Sequence, residues 1–96
     1  MTYHLRVSDA AKSDLAEIAC WYKDKDAALA ANFETQAKAA FDLLSQHPRA
    51  FAVTKKRTRK INLHHFPYSI FYEMKHKDIL VLAILHSSRY PRFGHH

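Results

Sequence analysis

Tyr3 to Val7 alternate apolar and polar positions, the period of a short strand. Ser8 follows as an N-cap, and Asp9 is a first-turn acid that meets the helix dipole. Ala11, Leu15, Ile18, Ala19 and Tyr22 then recur at helical spacing. The polar run Lys23-Asp24-Lys25-Asp26 breaks that stripe and offers Asp24 or Asp26 as the next cap. Ala30, Phe33, Ala37, Ala40, Phe41 and Leu44 form a second stripe. Pro48 should end it near His47, because a residue before proline is pushed out of helical geometry. Two amphipathic helices across a short polar break predict an antiparallel hairpin.

The period then changes to two. Arg57 to His65 alternates, with Ile61 and Leu63 on one face and Lys60, Asn62 and His64 on the other. Tyr68, Ile70, Tyr72 and Met74 alternate with Ser69, Phe71 and Glu73. Lys75-His76-Lys77-Asp78 reads as a polar hairpin loop. Ile79 to Leu85 is apolar at every position and predicts a central strand covered on both faces. The expectation is an α+β fold of order β-α-α-β-β-β. A helical hairpin packs on one face of a mainly antiparallel four-stranded sheet, in spatial order 1-4-3-2. The opposite face is expected to be open and rimmed by basic residues.

With 96 residues the chain has room for one domain, taken as residues 1–94. His95-His96 after Gly94 reads as an expression-tag remnant. A single cysteine, Cys20, leaves no internal disulfide framework and fits a reducing compartment. The N-terminus lacks the apolar core of a signal peptide, and no run approaches the roughly 20 apolar residues of a membrane helix. A cytoplasmic protein with no membrane partner is expected. The net charge of +6 is uneven: residues 1–48 carry five Lys+Arg against seven Asp+Glu, and residues 49–96 carry ten against two. Such a basic half attracts a polyanion or an acidic protein segment, although a solvated basic face has the same composition.

Two groups of residues could carry chemistry. Lys55, Lys56, Arg57, Arg59 and Lys60, with Arg49, can track phosphates, but interleaved aromatics for base stacking are lacking. Lysines also protect an edge strand from aggregation. His86, Arg89 and Tyr90 follow the apolar strand and would suffice for metal-free RNA cleavage through the 2′-hydroxyl. A histidine ending a strand is more often a structural hydrogen-bonding group. No cofactor and no metal are expected: His64 and His65 alternate on a strand, and Cys20 has no partner ligand. One glycine cannot build a phosphate loop. Cys20 reads as a structural thiol. Trp21 lies off the main stripe and marks an interface if exposed. The Ala-rich second helix fits either close packing or a groove for a partner helix.

The stretch Arg59-Lys-Ile-Asn-Leu-His-His-Phe-Pro-Tyr-Ser-Ile-Phe-Tyr-Glu73, followed by Ile79-Leu-Val-Leu-Ala-Ile-Leu-His-Ser-Ser-Arg-Tyr-Pro91, resembles the RelE/ParE superfamily of bacterial type II toxins. The resemblance covers almost the whole chain. It leans to the ParE-like branch through the helical hairpin and the Ala-Ile-Leu-His ending of the last strand. That branch implies a poison of DNA gyrase without catalytic residues, in which the C-terminal segment with Arg92 and Phe93 matters. The RelE-like branch implies a ribosome-dependent mRNA endoribonuclease, with Arg89, Tyr90 and His86 in catalytic roles. Either branch implies a cognate antitoxin, acidic in its toxin-binding part, in a heterotetramer or larger assembly. Lys55, Lys56, Arg57, Arg59, Lys60, Arg92, Phe93 and Trp21 are then the residues that would touch target or antitoxin. A small basic nucleic-acid-binding domain is the remaining alternative.

Overall fold

A computed structural model describes residues 3–87. Its elements are β1 (His4–Val7), α1 (Asp9–Lys25), α2 (Ala27–Gln46), β2 (Val53–Lys55), β3 (Thr58–Asn62), β4 (Tyr68–Lys75) and β5 (Asp78–His86). They make one sheet in the order β1-β5-β4-β3-β2, parallel between β1 and β5 and antiparallel elsewhere. The four anticipated strands keep their expected order, but the sheet has a fifth, β2, at its edge. At three residues, β2 is too short to show an alternation in the sequence.

Local chemistry sets the helix boundaries. The Ser8 side chain accepts the Ala11 N–H at 3.0 Å and so caps α1. The break expected over four polar residues shrinks to one. Asp26 donates its backbone N–H to the Tyr22 carbonyl, closing α1, while its carboxylate accepts the Ala28 N–H and opens α2. The hairpin buries Ala11, Ile18 and Tyr22 from α1, and Ala30, Phe33, Ala37, Ala40 and Leu44 from α2. Most of these pack on Ile61, Ile70, Tyr72, Ile79, Val81 and Ile84 of the sheet.

β5 is central, as its apolar run predicts, but only one face is fully covered. Ile79, Val81 and Ile84 are buried, whereas Leu80, Leu82 and Leu85 are half-buried. The parity changes because β4 and β5 slip by one residue. Phe71 pairs with Ala83 and Tyr72 with Val81, which leaves Leu82 as a bulge. Helix α1 satisfies the displaced backbone groups. Ser8 Oγ donates to the Leu82 carbonyl at 3.1 Å, and Asp14 Oδ2 accepts the Ile84 N–H at 3.0 Å. β4 is instead the strand buried on both faces. Ile70 and Tyr72 face the helices, while Ser69 and Phe71 are buried on the side expected to be open.

Candidate functional site

Polar residues gather at the two ends of the sheet, which β4 and β5 separate by roughly 23 Å at the usual strand rise. At one end lies a cleft of about 510 Å³ between α1 and the ends of β4 and β5. Its wall on α1 is Asp14, Glu17, Ile18, Trp21 and Tyr22; its opposite wall is Pro67, Tyr68, Ile84, Leu85 and His86. The fold thus brings His86 and Trp21, 65 residues apart in sequence, into one cavity.

Each of these side chains has a visible cause for its position. His86 ends β5 opposite Tyr68, and the two rings meet edge to face at 5.1 Å. Tyr68 continues into an aromatic cluster with Tyr22, Phe33 and Phe66. Burial raises the Tyr22 phenol above the ordinary tyrosine range, with a smaller push from Tyr68. Trp21 is 54% exposed, stacks edge-on against Tyr22 and carries the Lys25 ammonium 4.9 Å from its ring centre. Asp14 is held by the β5 bulge, and Glu17 is exposed one turn further along the helix. An indole, two carboxylates and an apolar floor suit a cationic side chain presented by a protein partner. The sequence reading missed Asp14 and Glu17. Their signal was present, because residues 14, 17, 18 and 21 share one helical face.

At the other end the β2–β3 turn and the β4–β5 turn lie side by side. Lys55, Lys56 and Arg57 are exposed on the first, Lys75, His76 and Lys77 on the second. Sheet pairing thereby adds Lys75 and Lys77 to the expected cluster. Arg59 and Lys60 leave that cluster by pointing to opposite faces. Lys60 pairs across from Phe71. Arg59 pairs across from Tyr72, and its Nη1 donates to the Phe51 carbonyl at 2.7 Å and the Arg49 carbonyl at 3.2 Å. Arg59 therefore braces the segment that joins α2 to the sheet. Tyr72 helps, since its hydroxyl donates to the Pro48 carbonyl at 2.7 Å. Burial raises the Tyr72 phenol, and the nearby Arg59 charge lowers it by less.

A second depression of about 310 Å³ lies between the two helices, lined by Leu15, Ala16, Ala19, Phe33, Glu34, Ala37, Lys38 and Phe41. Here the alanines leave a groove as well as allowing close packing. Two readings change. Cys20 is exposed and not packed in the core. His64 and His65 lie in the β3–β4 connection and not on a strand; His65 has a φ of 71° and the two rings lie 3.9 Å apart. Among the described residues no group of three His, Cys, Asp or Glu could hold a metal. Arg89, Tyr90, Arg92 and Phe93 lie outside the described residues.

Comparison with known proteins agrees with this architecture. The family model for the ParE toxin of the type II toxin-antitoxin system, parDE, matches residues 5–91. A solved structure of the chromosomal ParDE TA system from P. aeruginosa is similar in fold, with a TM-score of 0.78 at 21% identity. The match covers 88% of this chain and 96% of that one. No curated protein matches the sequence.

Proposed function

Because the chain belongs to the ParE toxin family of type II toxin–antitoxin systems, we propose that it arrests bacterial growth by inhibiting DNA gyrase and is neutralised by a cognate antitoxin. The family match over residues 5–91 carries this reading. The toxin acts by binding. A ribonuclease would bring a phosphodiester to His86, but Asp14 and Glu17 line the same cleft. A like charge at 4 Å costs about 1 kcal/mol in water and more in a partly dry cleft. These carboxylates disfavour RNA there and favour a basic side chain of a protein. The antitoxin supplies an amphipathic helix to the groove between α1 and α2, with its apolar anchors over Leu15, Ala19, Ala37 and Phe41. Arg92 and Phe93 contact the target, as the resemblance implies.

The test is a plasmid supercoiling assay with purified gyrase, run beside mRNA cleavage on purified ribosomes. Supercoiling is expected to stop while mRNA stays intact. Truncation before Phe93 should restore supercoiling, and Arg89→Ala should leave gyrase binding partly intact. Cleaved mRNA with normal supercoiling would replace this reading by the endoribonuclease one, with Arg89, Tyr90 and His86 as its residues.

A further inference from the structure

The two hairpin tips form a surface that the proposed function does not use. Lys55, Lys56, Arg57, Lys75 and Lys77 are all exposed there. The acids near them are Asp78, which pairs with Lys75 at the base of its turn, and Glu73, which accepts a hydrogen bond from Thr58. The backbone N–H of His4 donates to the Lys77 carbonyl at 2.8 Å and ties the second tip to β1. Each tip also holds a basic-type side chain where glycine would be sterically free. Lys56 has a φ of 52° and His76 a φ of 57°. Strained positions of this kind persist where function or surrounding structure requires them.

From this surface we propose that the paired tips are a binding site for the phosphate backbone of duplex DNA. The two turns are centred two strand spacings apart, about 10 Å. That is close to the roughly 12 Å width of the B-form major groove, so each tip can rest on one phosphate wall. Neither turn carries a Phe, Tyr or Trp, and the single His76 ring is too little stacking surface for a single strand, whose successive bases need stacking partners. Neither turn exposes a large apolar side chain; those exposed among the described residues are Trp21, Leu29, Leu43 and Val53. A protein partner, which needs apolar anchors, is better served by the helices. The contact reads charge and groove width, not sequence.

Fluorescence anisotropy of the purified protein with a labelled random-sequence duplex tests this. If the five cations each neutralise one phosphate, affinity should fall roughly 500-fold between about 50 and 200 mM salt. The triple variant Lys56→Gly, Arg57→Ala, Lys77→Ala should reduce that fall to roughly 12-fold. These side chains are exposed, and glycine accepts the Lys56 backbone, so the fold should be kept; circular dichroism confirms it. Lys12→Ala with Lys23→Ala, on α1 and outside both cavities, should leave the tip contact unchanged. Three results would overturn the proposal. One is no duplex binding at about 50 mM salt. Another is equal loss per charge removed in the tip and helix variants, which would mean net charge alone. The third is tighter binding of single-stranded RNA or of an acidic peptide, which would assign the tips to those partners instead.

Discussion

Replacing Arg59 separates a bracing role from a contact role for one of the basic residues. Its guanidinium donates to two backbone carbonyls, Phe51 at 2.7 Å and Arg49 at 3.2 Å. Hydrogen bonds to a charged group contribute about 1.5 to 3 kcal/mol each when well buried. The Arg49 bond is exposed and the Phe51 bond only partly buried, so the pair is discounted to about 2 kcal/mol in total. In a domain of this size that is a fall in Tm of about 10 °C. Both bonds leave the one nitrogen Nη1, so Arg59→Lys keeps the charge but, with a shorter side chain, falls short of the point between the two carbonyls, and should lose more than half of that. Tyr72→Phe frees the neighbouring Pro48 carbonyl and should cost about 1 to 2 kcal/mol. The double variant should cost less than the sum, because either loss loosens the same segment between α2 and β2. Thermal and urea unfolding measure all three. If Arg59→Lys melts with the wild type while its toxicity falls, the bracing argument is wrong and the side chain serves the target.

Three further outcomes follow from the same structure. Asp14→Ala strips the acceptor from the Ile84 N–H at the β5 bulge and should cost about 1 to 2 kcal/mol in urea unfolding; an unchanged midpoint would show that water replaces it. His76→Gly relieves a left-handed residue and should gain about 0.5 to 1 kcal/mol, after the extra chain entropy of glycine is subtracted; a lower Tm would refute the strain argument. Burial raises the Tyr72 phenol, with Arg59 offsetting part of it, so the unfolded chain loses this proton first. The contribution of Tyr72 should therefore be constant below about pH 10 and be lost as pH rises beyond it, so alkaline destabilisation should be less steep in Tyr72→Phe; equal or steeper loss in that variant would reverse the sign of the shift.

The tertiary structure gave the site residues their roles. Lys55, Lys56 and Arg57 were legible as a basic run, but their partners Lys75 and Lys77 came from a loop that looked like an ordinary polar turn. Arg59 and Lys60 looked like members of that run until strand pairing sent them to opposite faces. His86 and Trp21 were separate candidates, and only the packing of α1 along β5 made them walls of one cleft with Asp14 and Glu17.

By itself the sequence determined what depends on neighbours a few residues apart. The Ser8 cap, the stripes of α1 and α2, the helix end before Pro48 and the alternation of β4 are set by local sterics and by a period of 3.6 or 2. Those elements, with their apolar faces, also set the strand order, because the most apolar strand must be internal. Only the folded chain decided the rest. β2 forms because β3 offers it a pairing edge, and its three residues carry no period of their own. The bulge at Leu82 exists because Ser8 and Asp14, more than sixty residues away, satisfy the backbone groups it displaces. Cys20 is exposed because its helix buries Ile18 and Tyr22 instead. Such outcomes rest on hydrogen bonds and contacts between distant segments, whose energies exist only once both segments are in place.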